Sequence, residues 1–151
     1  MDNLPREKIT LANDLFFNEV KTYLNKGQLV TIPISGGSME PFLSHGDSVL
    51  LKPVTIDDMK VGRVVLGLTN KGYMLHRIIK IARDEAWLAG DANLQQIEHI
   101  AKSDILAVVV EANRKNSTKD LHSFGQLVAA RLWFLARPLR RIWNKIVNLI
   151  Q

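Results

Sequence analysis

The spacing of hydrophobic residues changes period twice along the chain. Between residues 5 and 26, Leu11, Leu15, Phe16, Val20, Tyr23 and Leu24 recur at helical spacing, which predicts an amphipathic helix stopped by Gly27. From Leu29 to Ala112 the pattern shortens into runs rich in Val, Ile and Leu. These runs are broken by turn-forming residues at Ser35–Gly37, His45–Asp47, Asn70–Gly72 and Arg83–Glu85, as expected for short β-strands. The clearest hairpin joins Val64–Leu68 to Tyr73–Ile81 through Thr69-Asn70-Lys71-Gly72, and Asp104–Glu111 reads as a last strand closing the sheet. Helical spacing returns in Leu121–Ala136 and Leu139–Ile150, with Pro138 between them as a kink or break. The expected fold is therefore mainly β with flanking helices: a helical segment over 1–28, a β domain over 29–113, a polar linker over 114–119 and two helices over 120–151.

Composition narrows the chemistry. The 151 residues are long enough to bury a core. There is no cysteine, which excludes disulfides, thiol catalysis and cysteine-ligated metal centres. No apolar run approaches the roughly 18–20 residues of a membrane span, and the polar opening Met1–Lys8 lacks the apolar stretch of a secretory signal. A cytoplasmic protein is expected. From Arg114 onward eight basic residues face one acid, Asp120, a balance of +7 against +5 for the whole chain. The preceding residues are thus close to neutral, and an electrostatic partner should meet the tail.

The tail is also amphipathic. Leu139, Ile142, Trp143, Ile146, Val147 and Ile150 form one stripe opposite Arg140, Arg141, Lys145 and Asn148, and Phe124, Leu127, Val128, Leu132, Leu135 and Ala136 form another. Such faces suit an anionic membrane surface, and equally a protein partner or the domain itself. Nucleic acid is not favoured, because no aromatic-interleaved basic surface is evident.

Three residues at predicted strand edges have the chemistry of an activated hydroxyl. Ser38 lies in Ser35-Gly36-Gly37-Ser38-Met39-Glu40-Pro41, where two glycines permit a tight turn and backbone N–H groups at Gly37 and Ser38 suit an oxyanion. His76, in His76-Arg77-Ile78, is the candidate base. Asp91, in Gly90-Asp91-Ala92-Asn93, is placed to orient the imidazole or to support its loop. Taken singly, each is the kind of residue that ordinarily serves a turn or a strand end. Their order along a β-rich chain is what raises them together.

The same segments resemble the signal peptidase I and LexA-like serine peptidases. Ser38-Met39-Glu40-Pro41 is similar to that family's Ser-Met-x-Pro nucleophile box, and Gly46-Asp47-Ser48-Val49 to the strand that follows it. Val61-Gly62-Arg63-Val64-Val65 resembles the Gly-Asp-Val-Val turn, with Arg63 in place of the acid. His76-Arg77-Ile78 and Gly90-Asp91-Ala92-Asn93 resemble boxes of the histidine-type signal peptidases. The likeness runs in order over residues 29–112. It implies a coiled β-fold with the site in an exposed groove, Ser38 as nucleophile, His76 as general base, Asp91 as acidic partner, and Gly36 and Gly37 as backbone support for the oxyanion. Such chemistry requires neither cofactor nor metal.

Three departures stand out. Gly36 occupies a position where signal peptidases often have a serine. Glu98 only approximates a further acid expected after the Gly-Asp-x-Asn box. The family's N-terminal membrane anchor has no counterpart in the opening residues. The expected activity is cleavage of a peptide or protein precursor by a Ser–His pair supported by Asp91. The alternatives are a self-cleaving LexA-like regulatory domain and a non-catalytic module that binds a membrane or a partner.

Overall fold

Among the described residues every strand pairing is antiparallel, and the strands form one curled sheet. The computed structural model describes residues 6–150, with side chains from residue 13 onward. Helix α1 (Arg6–Asn25) is followed by β1 (Val30–Pro33), β2 (Ser48–Pro53), β3 (Val64–Thr69), β4 (Gly72–Ile81), β5 (Glu85–Ala89), β6 (Glu98–Ala101), β7 (Ile105–Arg114) and β8 (Ser117–Lys119). Two helices close the chain, α2 (Phe124–Leu135) and α3 (Arg137–Ile150). The strand order is β1-β2-β7-β3-β4-β5-β6, with β8 paired to the end of β7. The expected hairpin forms as β3 and β4, with Thr69 opposite Gly72.

Alternation along the strands divides the interior in two. Val64 and Leu66 of β3 face a cluster with Val49, Leu51 and Val109, on which α1 lays Val20 and Leu24. Val65, between them, faces a second cluster with Ile78, Leu88, Ile100 and Val108. That second cluster brings β6 across toward β3 and gives the sheet its curl. Burying each such aliphatic side chain contributes roughly 1.5–3 kcal/mol. Together they make the sheet a firm platform for the loops at its rim.

The chain departs from its sequence-based reading at three places. In α1 only Val20 and Leu24 of the expected stripe are buried; Leu15, Phe16 and Tyr23 are exposed, and Leu11 has no described side chain. Phe17, off that stripe, stacks on Tyr73 of β4 with ring centroids 4.6 Å apart. Residues 114–119, read as a linker, instead form the end of β7, a tight turn and β8. Lys115 and Asn116 take positive φ angles of 44° and 67°, the twist that suits a two-residue hairpin. Last, α2 and α3 meet at Ala136 rather than at Pro138, which sits in the first turn of α3, where its missing N–H costs nothing. Among the described residues no helix is long and apolar enough to cross a membrane.

Candidate functional site

The loop from Ile34 to Asp47 carries Ser38 and is closed at its base by backbone bonds. Ile34 N–H donates to Asp47 O at 2.7 Å, and Gly46 N–H to Ile34 O at 3.1 Å. Arg114 then clamps it, its Nε lying 2.9 and 3.0 Å from the two oxygens of Asp47 and its Nη2 3.0 Å from Ser44 Oγ. This pairing holds the Asp47 carboxyl below its usual value, against the opposing effect of burial. Within the loop, Met39 and Leu43 are buried and anchor it to the core, while Ser38 is exposed. Gly36 has φ +85°, a conformation that disfavours any side chain.

Ser38 and His76 line the same groove, about 690 Å³ in volume, with Ile32–Gly36 on one wall, Tyr73–His76 on another, and Phe16 and Phe17 of α1 bordering it. His76 is only 4% exposed. Burial lowers its pKa below the ordinary imidazole value, and the carboxylates of Glu98 and, to a lesser extent, Asp91 oppose that shift. The ring is therefore neutral near pH 7, the state a general base requires. Its Nδ1 is sealed from solvent without a hydrogen-bond partner among the described residues.

Of the two roles open to Asp91, orienting the imidazole or supporting its loop, the contacts of its carboxylate are those of the second. Residues 76 and 77 point to opposite faces of β4, and Asp91 is on the Arg77 side. Arg77 Nε and Nη2 each donate to the Asp91 carboxylate at 2.8 Å, and Nη1 donates to Gly62 O at 2.7 Å. The guanidinium also sits over the ring of Phe42, 5.2 Å from its centroid. So the acid shapes the loops around the groove and makes no hydrogen bond to the imidazole. Glu98 is the stronger electrostatic neighbour of His76.

The turn holding Asp91 touches the serine directly. Ala92 N–H donates to Ser38 O at 2.9 Å. A Cβ at Gly90 would come within 2.5 Å of that oxygen and 2.9 Å of Asn93 Nδ2, so only glycine fits there. Gly36 is less available than the sequence suggested, because its N–H is directed to His45 Nδ1 at 3.4 Å. The N–H groups of Gly37 and Ser38 have no acceptor among the described residues, which leaves them free to meet an oxyanion.

The C-terminal helices grip the other side of this turn. Trp133 Nε1 donates to Asp91 O at 2.8 Å, Arg137 Nη2 to Asn93 O, and Arg141 Nε to Leu94 O at 2.6 Å. Arg140 bridges Asp91 O at 3.4 Å and Trp133 O at 2.9 Å. Sequence reasoning missed all of these contacts as parts of the site. The only signal for them was the cluster of basic residues, which carries no direction. No protein-family model matches the chain, and a search of curated proteins returns no relative.

Proposed function

We propose that the protein is a serine endopeptidase of the signal peptidase and LexA-like type, with Ser38 as nucleophile and His76 as its base. The observation that carries this reading is the shared groove, lined by an exposed serine and a buried imidazole. In the proposed reaction Ser38 Oγ attacks the scissile carbonyl carbon as His76 takes its proton. The oxyanion that forms is held by the N–H groups of Gly37 and Ser38. The proton then passes to the leaving amine, and water, deprotonated by the same imidazole, releases the acyl group from Ser38. Asp91 serves this chemistry by positioning, through Arg77 and through the turn that holds Ser38 O.

The β4 edge supports a peptide as substrate. β5 pairs with β4 only from Arg77 onward, so Gly72–His76 has β3 on one side and no strand on the other among the described residues. An extended peptide can add to such an edge through main-chain hydrogen bonds. It would then lie beside Tyr73, Met74 and Leu75, in a groove whose apolar walls favour apolar side chains.

A fluorophosphonate probe followed by peptide mapping tests the reading. The expected result is modification at Ser38, abolished by Ser38→Ala and by His76→Ala but retained in His45→Ala and His99→Ala. A folded wild-type chain left unmodified across a range of pH would overturn it.

A further inference from the structure

The direction in which α3 faces is unusual for a helix of a globular domain. An amphipathic helix ordinarily buries its apolar stripe and leaves its charges in water. In α3 the arrangement is reversed. Arg137 and Arg140 turn inward to the carbonyls of residues 91, 93 and 133, and Arg141, itself exposed, reaches that of Leu94. Leu139, Ile142, Trp143, Ile146 and Ile150 turn outward, Leu139 at 70% and Trp143 at 66% exposure. Phe124, Leu132 and Leu135 of α2 are exposed as well. Large apolar side chains left facing water on both helices mark an interaction site.

Charge identifies what covers it. Residues 121–150 contain five basic side chains and no acid. Arg137, Arg140 and Arg141 hydrogen-bond to neutral carbonyls, the nearby Asp91 carboxylate, already paired with Arg77, acting on the first two, while Arg131 and Lys145 stand exposed. A second copy of this chain would bring like charges together across the contact, which disfavours self-association. With 12 and 14 residues, the helices are about 18 and 21 Å long, short of the roughly 30 Å hydrocarbon core. Their geometry suits lying along a surface, with apolar side chains below and basic ones at headgroup level.

We infer that α2 and α3 together form a docking face for an anionic lipid bilayer, into which Leu139, Ile142, Trp143 and Ile146 insert. The face is independent of the peptidase chemistry, since none of these side chains lines the Ser38 groove. Its docking would hold the 91–94 turn, and with it the groove, close to the membrane surface.

Flotation of the full chain tests this, with vesicles of phosphatidylcholine alone and of phosphatidylcholine mixed with phosphatidylglycerol. The chain should rise with the anionic vesicles, only weakly with the neutral ones, and less as salt increases. Ile142→Ser with Ile146→Ser should reduce the affinity about tenfold or more. Arg131→Gln with Lys145→Gln should weaken anionic binding by up to roughly thirtyfold. Both pairs replace exposed side chains, so circular dichroism and melting should match the wild type and separate lost docking from lost folding. Failure to float with anionic vesicles overturns the inference, whether the chain then sediments as a monomer, as a dimer or bound to an acidic protein. So does flotation that the Ile142→Ser, Ile146→Ser variant leaves unchanged.

Discussion

Replacing Asp91 with asparagine separates its two candidate roles. Its carboxylate and the Arg77 guanidinium are 6% and 5% exposed and share two hydrogen bonds of 2.8 Å. Asp91→Asn keeps the shape of the side chain but strands the guanidinium in a buried position, which costs about 3–5 kcal/mol. For a chain of this size that corresponds to a fall in melting temperature of about 6–20 °C. Urea denaturation of the wild type, Asp91→Asn, Arg77→Met and the double variant gives the coupling directly. The double variant should be less destabilised than the sum of the singles by more than about 1 kcal/mol. NMR titration of His76 provides the second readout. Asp91→Asn should move its pKa less than Glu98→Gln does, because Glu98 exerts the larger influence on the ring. Additive stability effects, or a His76 titration governed by Asp91, would refute the assignment of Asp91 to Arg77.

Further outcomes follow from the same geometry. Gly90→Ala drives a methyl into Ser38 O; it should destabilise the protein by about 1–3 kcal/mol and slow probe labelling of Ser38, and unchanged melting and labelling would contradict the close packing. Because burial lowers the His76 pKa, the labelling rate should fall to half its plateau only at a pH below 6.5. Half-loss at or above that pH would exclude a buried base. His122 accepts the Val64 N–H at Nε2, 3.2 Å away, and burial beside Arg63 and Arg77 pushes its pKa down to about 4. The unfolded chain takes up that proton near pH 6.5 and the folded chain does not. Stability is therefore complete above pH 6.5 and should fall by roughly 2 kcal/mol toward pH 4.5. His122→Gln should flatten that slope, and an equal slope in the variant would assign it to other groups.

The parts of the fold written in local pattern were legible in the sequence. The β3–β4 hairpin is marked by apolar runs on either side of Asn70-Lys71-Gly72, and α1 by its helical spacing and Gly27. What escaped depends on contacts between distant segments. The partners Arg77 and Asp91 lie 14 residues apart, and which face of the sheet each takes follows from register between β4 and β5, where a bulge interrupts the count between Ile78 and Lys80. Leu15 and Phe16 fit a helical stripe, yet the sheet meets α1 through Phe17, Val20 and Leu24. Ser38 and His76 were identifiable as chemistry, but their meeting in one groove is a property of the curled sheet. For α3, periodicity defined the stripe and left its direction open, because the arginines find their partners in carbonyls that have no sequence signature.

The turn from Gly90 to Leu94 stands between two sets of hydrogen bonds, one to Ser38 and one to the C-terminal helices. Thermodynamic linkage makes such a position reciprocal. If contact on the outer face of the helices changes the affinity of the groove for a ligand by some factor, a ligand in the groove must change the affinity of the outer contact by the same factor. A small molecule seated beside Ser38 would then be detectable at a surface it never touches.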